Sequence, residues 1–595
     1  MRHRQNTWYR DRYFLLTLGL VLFHTIANLI WIALNNVPPE FDAAFHTVLA
    51  IRFFDYLQHN LGSFDLTQFL QISKYYPPFT HWLAMIFVFL GSYNTTVIQI
   101  TGTVFFVVLL LATFWYTREI TQNGRIAFLA TFFLSFFLTV SQESRLLMTD
   151  IPSTALYILA LVALAKSRLF TKKRYVILFS VAAAFAILTR WTAGFFLLVP
   201  VLITAIRVFR VIPHKLPHVI AYAIGGIMII IAICLPWYSA NFQTITQIAS
   251  VSSTAEADDP QQLLSLENVL YYPRVFTQFQ FHFFGSLFLL GAVSLFFWKQ
   301  IRARYAGKVT EKLAHHGQVA HSHAAHRHFP GTSFSFNDLL DHPLTIPVCS
   351  IVAAYLVFTF ALYNKNIRYL MPVMPFFALL MGVAADRALH MRHKQWAVWS
   401  VTFILFFYVV SYGILSFGIP IKPQFKMPVQ FPLVGYLDVV YFDTFPVDTY
   451  FNNEQWPNRE IARFLIENRK PSPMVLHYVS IIEKPHLNAA SVLLAQYDEL
   501  KYVPDEIREW DTNFIAQLGD REVFTDEEMN LYVQSNDIVI VPENSVGPKE
   551  SIRDYKVREQ IRDYMKQGRA ANFGVVETFN TPDGDKVLIY KKLYP

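Results

Sequence analysis

Apolar runs long enough to enter a lipid bilayer recur through the first two thirds of this 595-residue chain, and they limit its fold more than any other feature. A helix crosses the hydrocarbon core with about 17 to 25 predominantly apolar residues. Runs that match or approach that pattern cover 13–33, 95–117, 126–140, 151–165, 218–240, 281–298, 344–362, 369–385 and 397–417. A further run, 175–208, is too long for one crossing and is interrupted by Arg190, so it reads as two short helices that meet there. The total expected is about eleven spans. The run 79–91 is too short to cross and suits a re-entrant or interfacial helix. Composition agrees: 54% of residues are apolar and 16% charged, whereas soluble domains hold about a quarter charged residues. A disordered, collagenous, disulfide-stapled or purely soluble chain is excluded. Cys234 and Cys349 both lie inside apolar runs, so no disulfide framework is expected.

Charge sets the sidedness. With a cytoplasmic N-terminus, the inner segments hold 23 Lys and Arg against 6 acidic residues, and the outer loops hold 7 against 10. The region from Gly418 onward holds 20 against 27. Lys and Arg concentrate on the inner side of short loops, so the net charge of +7 is a topology signal. No nucleic-acid footprint is present. Arg2, Arg4, Arg10 and Arg12 ahead of an apolar run would also suit a cleavable signal peptide, but Trp31-Ile-Ala-Leu lacks a small-x-small cleavage site. A retained first helix is expected. The reading is a multi-pass protein of the cell membrane, of prokaryotic plasma-membrane type, with its C-terminal region outside the cytoplasm.

Three units follow. Residues 1–417 form the transmembrane domain, with an outer loop at 34–94 and a cytoplasmic His-rich loop at 299–343. Residues 418–452, rich in Pro and aromatics, read as a linker along the membrane surface. From 453 to 595 the pattern is that of an extracytoplasmic α/β domain: an amphipathic helix at 456–468, a strand at 474–480, a helix at 489–495 after Asn488, and a strand at 537–541. The strands 575–579 and 586–590 flank Thr581-Pro-Asp-Gly, a hairpin turn signal.

The outer loops carry the residues with chemical potential. In Pro38-Pro-Glu-Phe-Asp-Ala-Ala-Phe-His46, Asp42 and His46 sit one helical turn apart. Ala44, Phe45, Val48, Leu49, Phe53 and Tyr56 continue as one apolar face, expected to lie flat on the bilayer. By residue type alone Asp42 is either a helix cap or a base held at the membrane surface. Lys74-Tyr-Tyr-Pro-Pro-Phe-Thr-His81 closes the same loop, with Lys74 and His81 as anion contacts or Lys74 and the tyrosines as interfacial anchors. Glu143, Arg145 and Asp150 stand in the second, very short outer loop, where Thr149 or Asp150 also suits a helix cap. Arg190, Lys365 and Arg368 occupy two more tight outer turns. Four of the seven outer cations are thus Arg145, Arg190, Lys365 and Arg368, on the side where cations are scarce. They suit an anion such as a lipid phosphate, or pair with neighbouring acids.

Together these segments resemble the C-type glycosyltransferases of the GT-C fold, in the branch of the protein O-mannosyltransferases and aminoarabinose transferases. The residues that carry the resemblance are Phe41-Asp42-Ala43-Ala44-Phe45-His46, Tyr76-Pro77-Pro78-Phe79, Ser144-Arg145-Leu146-Leu147-Met148-Thr149-Asp150 and Arg368-Tyr369-Leu370-Met371-Pro372. It covers roughly residues 1–417. The resemblance implies transfer of a sugar from a polyprenyl-phosphate donor to an acceptor hydroxyl at the outer face, with inversion. Asp42 takes the place of the base and Asp150 matches a recurring acidic position. Arg145 takes the lipid-phosphate role, with Lys74, Arg190, Lys365 and Arg368 as further phosphate contacts. His46, Glu143, Tyr76 and His81 are expected to position acceptor and donor. Ala43 replaces the second acid of the family's Asp-Glu pair, and His81 stands near a family Lys. No Trp-Trp-Asp signature is present, which argues against transfer of whole glycans to Asn. The partners implied are the lipid-linked sugar, the bilayer, and a protein, lipid or glycan acceptor. No metal site is assigned; a divalent cation is compatible with the resemblance and not required by it.

A transporter or lipid flippase is the competing class, and a non-catalytic glycan-binding relative is a third. A transporter commonly shows inverted repeats and charges near the midplane, whereas here no repeat is seen and the charges gather at one face. His315, His316, His321, His323, His326 and His328 lie on the opposite face in a low-complexity stretch, read as a solvated linker rather than a zinc or nickel site. Asp583-Gly-Asp585 is read as turn chemistry.

Overall fold

The computed structural model describes residues 11–252, 264–294, 340–362, 365–391, 395–419, 425–431, 435–442, 451, 453–470, 474–500, 507–509, 524–548 and 555–593. The His-rich stretch lies outside these residues. The described residues open with α1 (Arg12–Leu34), and the segment after it holds α2 (Phe41–Asn60), α3 (Leu66–Gln71) and α4 (Phe79–Gly91). Then follow α5 (Thr95–Thr121), α6 (Gly124–Phe136), α7 (Leu138–Glu143), α8 (Asp150–Lys166), α9 (Lys173–Ile187), α10 (Ala193–Val211) and α11 (Leu216–Ala240). The bundle is completed by α12 (Phe242–Ser252), α13 (Leu266–Val275), α14 (His282–Ser294), α15 (Thr345–Phe360), α16 (Met374–Leu389) and α17 (Gln395–Phe417).

Every expected run carries a helix, and 175–208 divides into α9 and α10 around Arg190 as the interruption implies. Among the described residues, six helices are long and apolar enough to cross alone, and the pair around α13 and α14, bent by 116°, makes a seventh. Of the other helices, α6, α7 and α8 are shorter and largely buried in the bundle. The run 126–140 is not one helix. Phe137 is extended (φ −61°, ψ 129°), ending α6 before α7 starts. Its buried ring packs on Phe281 at 4.9 Å, which ties this break to the bend before α14. The run from 369 also starts its α-helix late, at Met374, because Pro372 and Pro375 suit only a first turn.

Two glycines allow close approach, one of α5 to the loop after α7 and one of α16 to α6. A Cβ on Gly102 of α5 would meet Leu146 O at 2.2 Å, and one on Gly382 of α16 would meet Ala130 N of α6 at 2.9 Å. Phe106, Phe133, Phe137, Tyr157, Phe376 and Tyr408 fill the core between them. Leu15, Leu22, Phe195, Leu202, Ile224, Met228 and Phe406 project outward from α1, α10, α11 and α17, as lipid-facing side chains do.

The region read as a linker contains an antiparallel hairpin, β1 (Phe425–Phe431) and β2 (Gly435–Phe442). It packs on the bent pair through Phe279–Tyr441 and Phe283–Phe431 ring contacts at 5.3 and 5.5 Å. The C-terminal unit comprises α18 (Asn458–Glu467), β3 (Leu476–Ser480), β4 (Glu483–Lys484), β5 (Leu487–Asn488), α19 (Ala489–Leu500) and β6 (Ile507–Glu509). It continues with α20 (Asp526–Gln534), β7 (Ile538–Pro542), α21 (Tyr555–Lys566), β8 (Phe573–Asn580) and β9 (Lys586–Lys592). One sheet runs β6-β3-β7-β9-β8, with its first three strands parallel and its last two antiparallel. Asn488 caps α19, its Oδ1 accepting from Ser491 N at 3.0 Å. Asp583 and Asp585 close the β8–β9 turn on Lys484, at 2.7 and 2.9 Å.

The C-terminal unit sits on α2. Leu494 and Tyr497 of α19 share one buried cluster with Ala44, Val48 and Ile51 of α2 and with Leu147. Helix α2 therefore does not lie with one apolar face on the bilayer. Residues Ala43 to Ile51 are buried except Phe45, enclosed by α4, α5 and α19. An apolar stripe reports that a face is covered but not by what, and the covering surface here comes from residues more than 400 positions away.

Candidate functional site

Four segments converge on one ionic cluster. The first is the start of α2. Its N-cap is Glu40, which makes no capping bond from its side chain, and Asp42 lies two residues inside the helix. Asp42 is not a cap: its Oδ2 accepts from Arg368 Nη2 at 2.7 Å. The second segment is the end of α7 and the start of α8. Glu143 Oε1 stands 3.9 Å from Arg368 Nε, and Asp150 pairs with Arg190 Nη1. Thr149 is the N-cap of α8 and likewise makes no capping bond. The α9–α10 break supplies Arg190, and the turn before α16 supplies Arg368, braced by Asn366 Oδ1 at 3.2 Å.

Burial separates the three carboxyls. The side chains of Glu143 and Asp150 are 4% and 3% exposed, while that of Asp42 is 45% exposed. Burial acts to raise the Asp42 carboxyl, but Arg368 beside it, with His46 and Arg190, outweighs that and holds it below the usual carboxylate range. Glu143 goes the other way. Burial dominates, Asp150 and Asp42 add to it, and its carboxyl is pushed well above the usual range despite Arg368. The cluster thus offers an open carboxylate, two guanidiniums and a buried acid whose carboxyl is raised. Glu143 Oε2 has no hydrogen-bond partner among the described residues.

A histidine pair lies behind Asp42. His46 Nδ1 and His81 Nε2 are 3.0 Å apart, both buried. Burial lowers His46 to about 4, against the pull of Asp42, so it is neutral at physiological pH. His81 is completely enclosed and makes no outward anion contact. The Tyr76 ring stands edge-on to His46 at 4.6 Å and tilted to Phe45 at 5.7 Å.

Three predicted phosphate contacts are not brought to this cluster. Lys74 is exposed in a left-handed turn (φ 49°). Lys365 is 4% exposed and donates to the carbonyls of Phe358 and Thr359, closing the C-terminal end of α15. Arg145 turns inward between α1 and α17, donating to Asn28 Oδ1 at 3.1 Å and Ser416 Oγ at 2.6 Å. The rings of Trp31, Tyr412 and Phe417 surround it at 5.2, 5.3 and 5.9 Å. Replacing Arg145 with Leu strands Asn28 and the loop after α7, so it should lower the detergent-solubilised Tm by several degrees. An unchanged Tm with impaired donor binding would instead place Arg145 in the site.

Three aromatic residues of the site went unassigned from sequence. The Arg190 guanidinium lies 5.5 Å from the centre of the Tyr369 ring, and Trp191 Nε1 donates to Tyr75 Oη at 3.1 Å. A usable signal was present: each of the two site arginines is followed directly by an aromatic residue, as Arg190-Trp191 and Arg368-Tyr369. Among the described residues, no group of three His, Cys, Asp or Glu side chains is arranged to hold a metal ion.

Residues 76–239 match the family model described as dolichyl-phosphate-mannose-protein mannosyltransferase. That segment contains Tyr76, His81, Glu143, Asp150 and Arg190, but neither Asp42 nor Arg368. No curated protein matches the chain by sequence. In structure, the chain is similar to ArnT from Cupriavidus metallidurans bound to undecaprenyl phosphate, with a TM-score of 0.54 and 12% identity over 97% of this chain and 98% of that one. It is equally similar to the apo state of ArnT from the same organism, at 0.54 and 13% over 98% and 99%. The likeness spans both chains almost end to end. The bundle and its C-terminal α/β unit together form a GT-C fold.

Proposed function

We propose that this GT-C-fold protein is an integral-membrane glycosyltransferase that moves a sugar from a polyprenyl-phosphate donor to an acceptor hydroxyl at the extracytoplasmic face. The observation that carries this reading is the open Asp42 carboxylate beside two convergent guanidiniums, with Glu143 and Asp150 closed off behind them. The partial family match and the undecaprenyl phosphate bound by ArnT support the donor class.

The donor phosphate binds Arg190 and Arg368. Arg368 then exchanges Asp42 for the phosphate; the loss of its hydrogen bond and the phosphate's negative charge together raise the Asp42 carboxylate and make it a better base. Glu143, whose carboxyl burial holds above the usual range, favours its neutral form here and so adds little negative charge beside the phosphate. Asp42 takes the proton of the acceptor hydroxyl as its oxygen attacks the anomeric carbon. The bond from that carbon to the phosphate oxygen breaks, and the electron pair leaves with the polyprenyl phosphate, where the two arginines stabilise it. His46 and Tyr76 flank the path of the acceptor. A single displacement inverts the anomeric centre. Transfer from a donor of defined anomer, read by NMR of the product linkage, is expected to give the opposite anomer; retention would require a covalent intermediate and reject Asp42 as a simple base.

The C-terminal unit positions the base. His486 Nδ1 donates to Pro38 O at 3.0 Å, and its Nε2 lies 3.9 Å from Glu40 Oε1, two residues before Asp42. His486→Ala should lower kcat about tenfold with donor affinity unchanged, and His486→Asn, which keeps a donor toward Pro38 O, should recover most of it. Equal loss in both variants would indicate general misfolding.

A further inference from the structure

At the opposite end of the bundle from Asp42, a cavity of about 320 Å³ opens between the C-terminal ends of α5, α8 and α10 and the start of α15. Its walls are apolar, with Leu161 of α8 and Ile346 of α15 among them, and its charged groups are Glu119, Arg168, Arg207 and Asp341. Arg207 is held by the carbonyls of Leu340, at 2.8 and 2.6 Å, and of His342, at 3.1 Å. Asp341 faces Arg210 at 3.7 Å. Glu119 and Arg168 stand apart from these. Neither side chain has an ion pair among the described residues, although both line the same cavity.

The backbone adds an independent observation. Arg168, Leu169 and Phe170 all have positive φ, at 48°, 61° and 59°. Three consecutive non-glycine residues in the left-handed region are unfavourable, because each Cβ crowds its own carbonyl. The turn is held by Ser167, whose Oγ accepts from Phe170 N at 3.0 Å and whose carbonyl accepts from Lys172 N at 3.0 Å. Its effect is to bury Phe170 while presenting Arg168 and Leu169 to the cavity. Observed strain at a charged cavity is a reason to look for a ligand there.

The cavity has apolar walls and a rim whose Arg168 and Glu119 have no ion pair among the described residues, at the end of the bundle where Lys and Arg concentrate. A ligand that satisfies all three features carries a phosphate, an ammonium close to it, and apolar chains. We propose that this cavity binds a zwitterionic phosphoethanolamine headgroup, its phosphate on Arg168 and Arg207 and its ammonium on Glu119. This site is separate from the Asp42 cluster and does not depend on the activity proposed there.

The test uses the full chain, delipidated and supplied with phosphatidylethanolamine, phosphatidylglycerol or phosphatidylcholine, with retained lipid read by native mass spectrometry. The wild type should retain phosphatidylethanolamine about tenfold over the other two. Arg168→Gln should weaken retention of every phospholipid, and Glu119→Gln should remove only the preference for ethanolamine. Both side chains reach the surface, and melting curves check that each variant is folded. Glycerophosphoethanolamine, which has the headgroup without chains, distinguishes the source: weak competition identifies a membrane lipid, and competition at equal affinity identifies a soluble ligand of the same chemistry. Retention without headgroup preference, or retention unchanged by both substitutions, overturns the proposal.

Discussion

Asp42→Asn is expected to reduce kcat for sugar transfer by about 10³-fold while donor affinity changes by only a few fold. The amide keeps the size of the carboxylate and still accepts from Arg368, so the helix start and the guanidinium stay in place. What is lost is the capacity to take a proton. Single-turnover transfer, measured alongside equilibrium binding of the donor, separates the two effects. The pH profile adds a sign. In the free protein Arg368 holds Asp42 below the usual carboxylate range, so the group stays ionised as pH falls through that range. The kcat/KM profile should therefore be flat from neutral pH down and decline only below ordinary carboxylate values. A decline near neutrality would move the base to a group with a raised pKa, such as Glu143 in the same cluster.

Arg368→Ala should have the second-largest effect, weakening donor binding about 100-fold and lowering kcat by a similar factor. Arg368 contacts both Asp42 and Glu143 and stands where the departing phosphate would place its charge. Removing it costs ground-state binding and leaving-group stabilisation together. Arg368→Lys should restore little, because one ammonium cannot span Asp42 and Glu143 and then pass to a phosphate as the planar guanidinium does. The fold should survive both changes, since burial already favours the neutral form of Glu143 and Asp42 is open to solvent. Donor binding by the Ala variant that matches wild type would remove Arg368 from the phosphate site.

The helical character of the apolar runs was legible because length and hydropathy act locally and each run must satisfy its own backbone, whereas the break at Phe137 inside 126–140 was not. The α9–α10 break at Arg190 was legible for the same reason. Asp42, Glu143, Asp150, Arg190 and Arg368 could be singled out because charge at outer turns is conspicuous against an apolar background. Arg145 and Lys365 looked identical by that criterion. Nothing local separates an arginine that joins the Asp42 cluster from one that threads back between Trp31, Tyr412 and Phe417. The burial of α2 was equally hidden, because its cover comes from Leu494 and Tyr497. In the C-terminal unit, strands with clear alternation or a Pro-Asp-Gly turn were legible. The short β6 and helices α20 and α21 were not, since their apolar residues are spaced among many charges.

The central claim is that the four-loop cluster carries out chemistry on a lipid-linked sugar, and turnover tests it most directly. The purified protein in nanodiscs would be given a panel of polyprenyl-phosphate sugars with an acceptor extract, and release of free polyprenyl phosphate would be followed for wild type and Asp42→Asn. The account predicts release from at least one donor by the wild type and near-complete loss in the variant. Folded wild-type protein that binds polyprenyl phosphates yet releases none from any donor, or release untouched by Asp42→Asn, would contradict it.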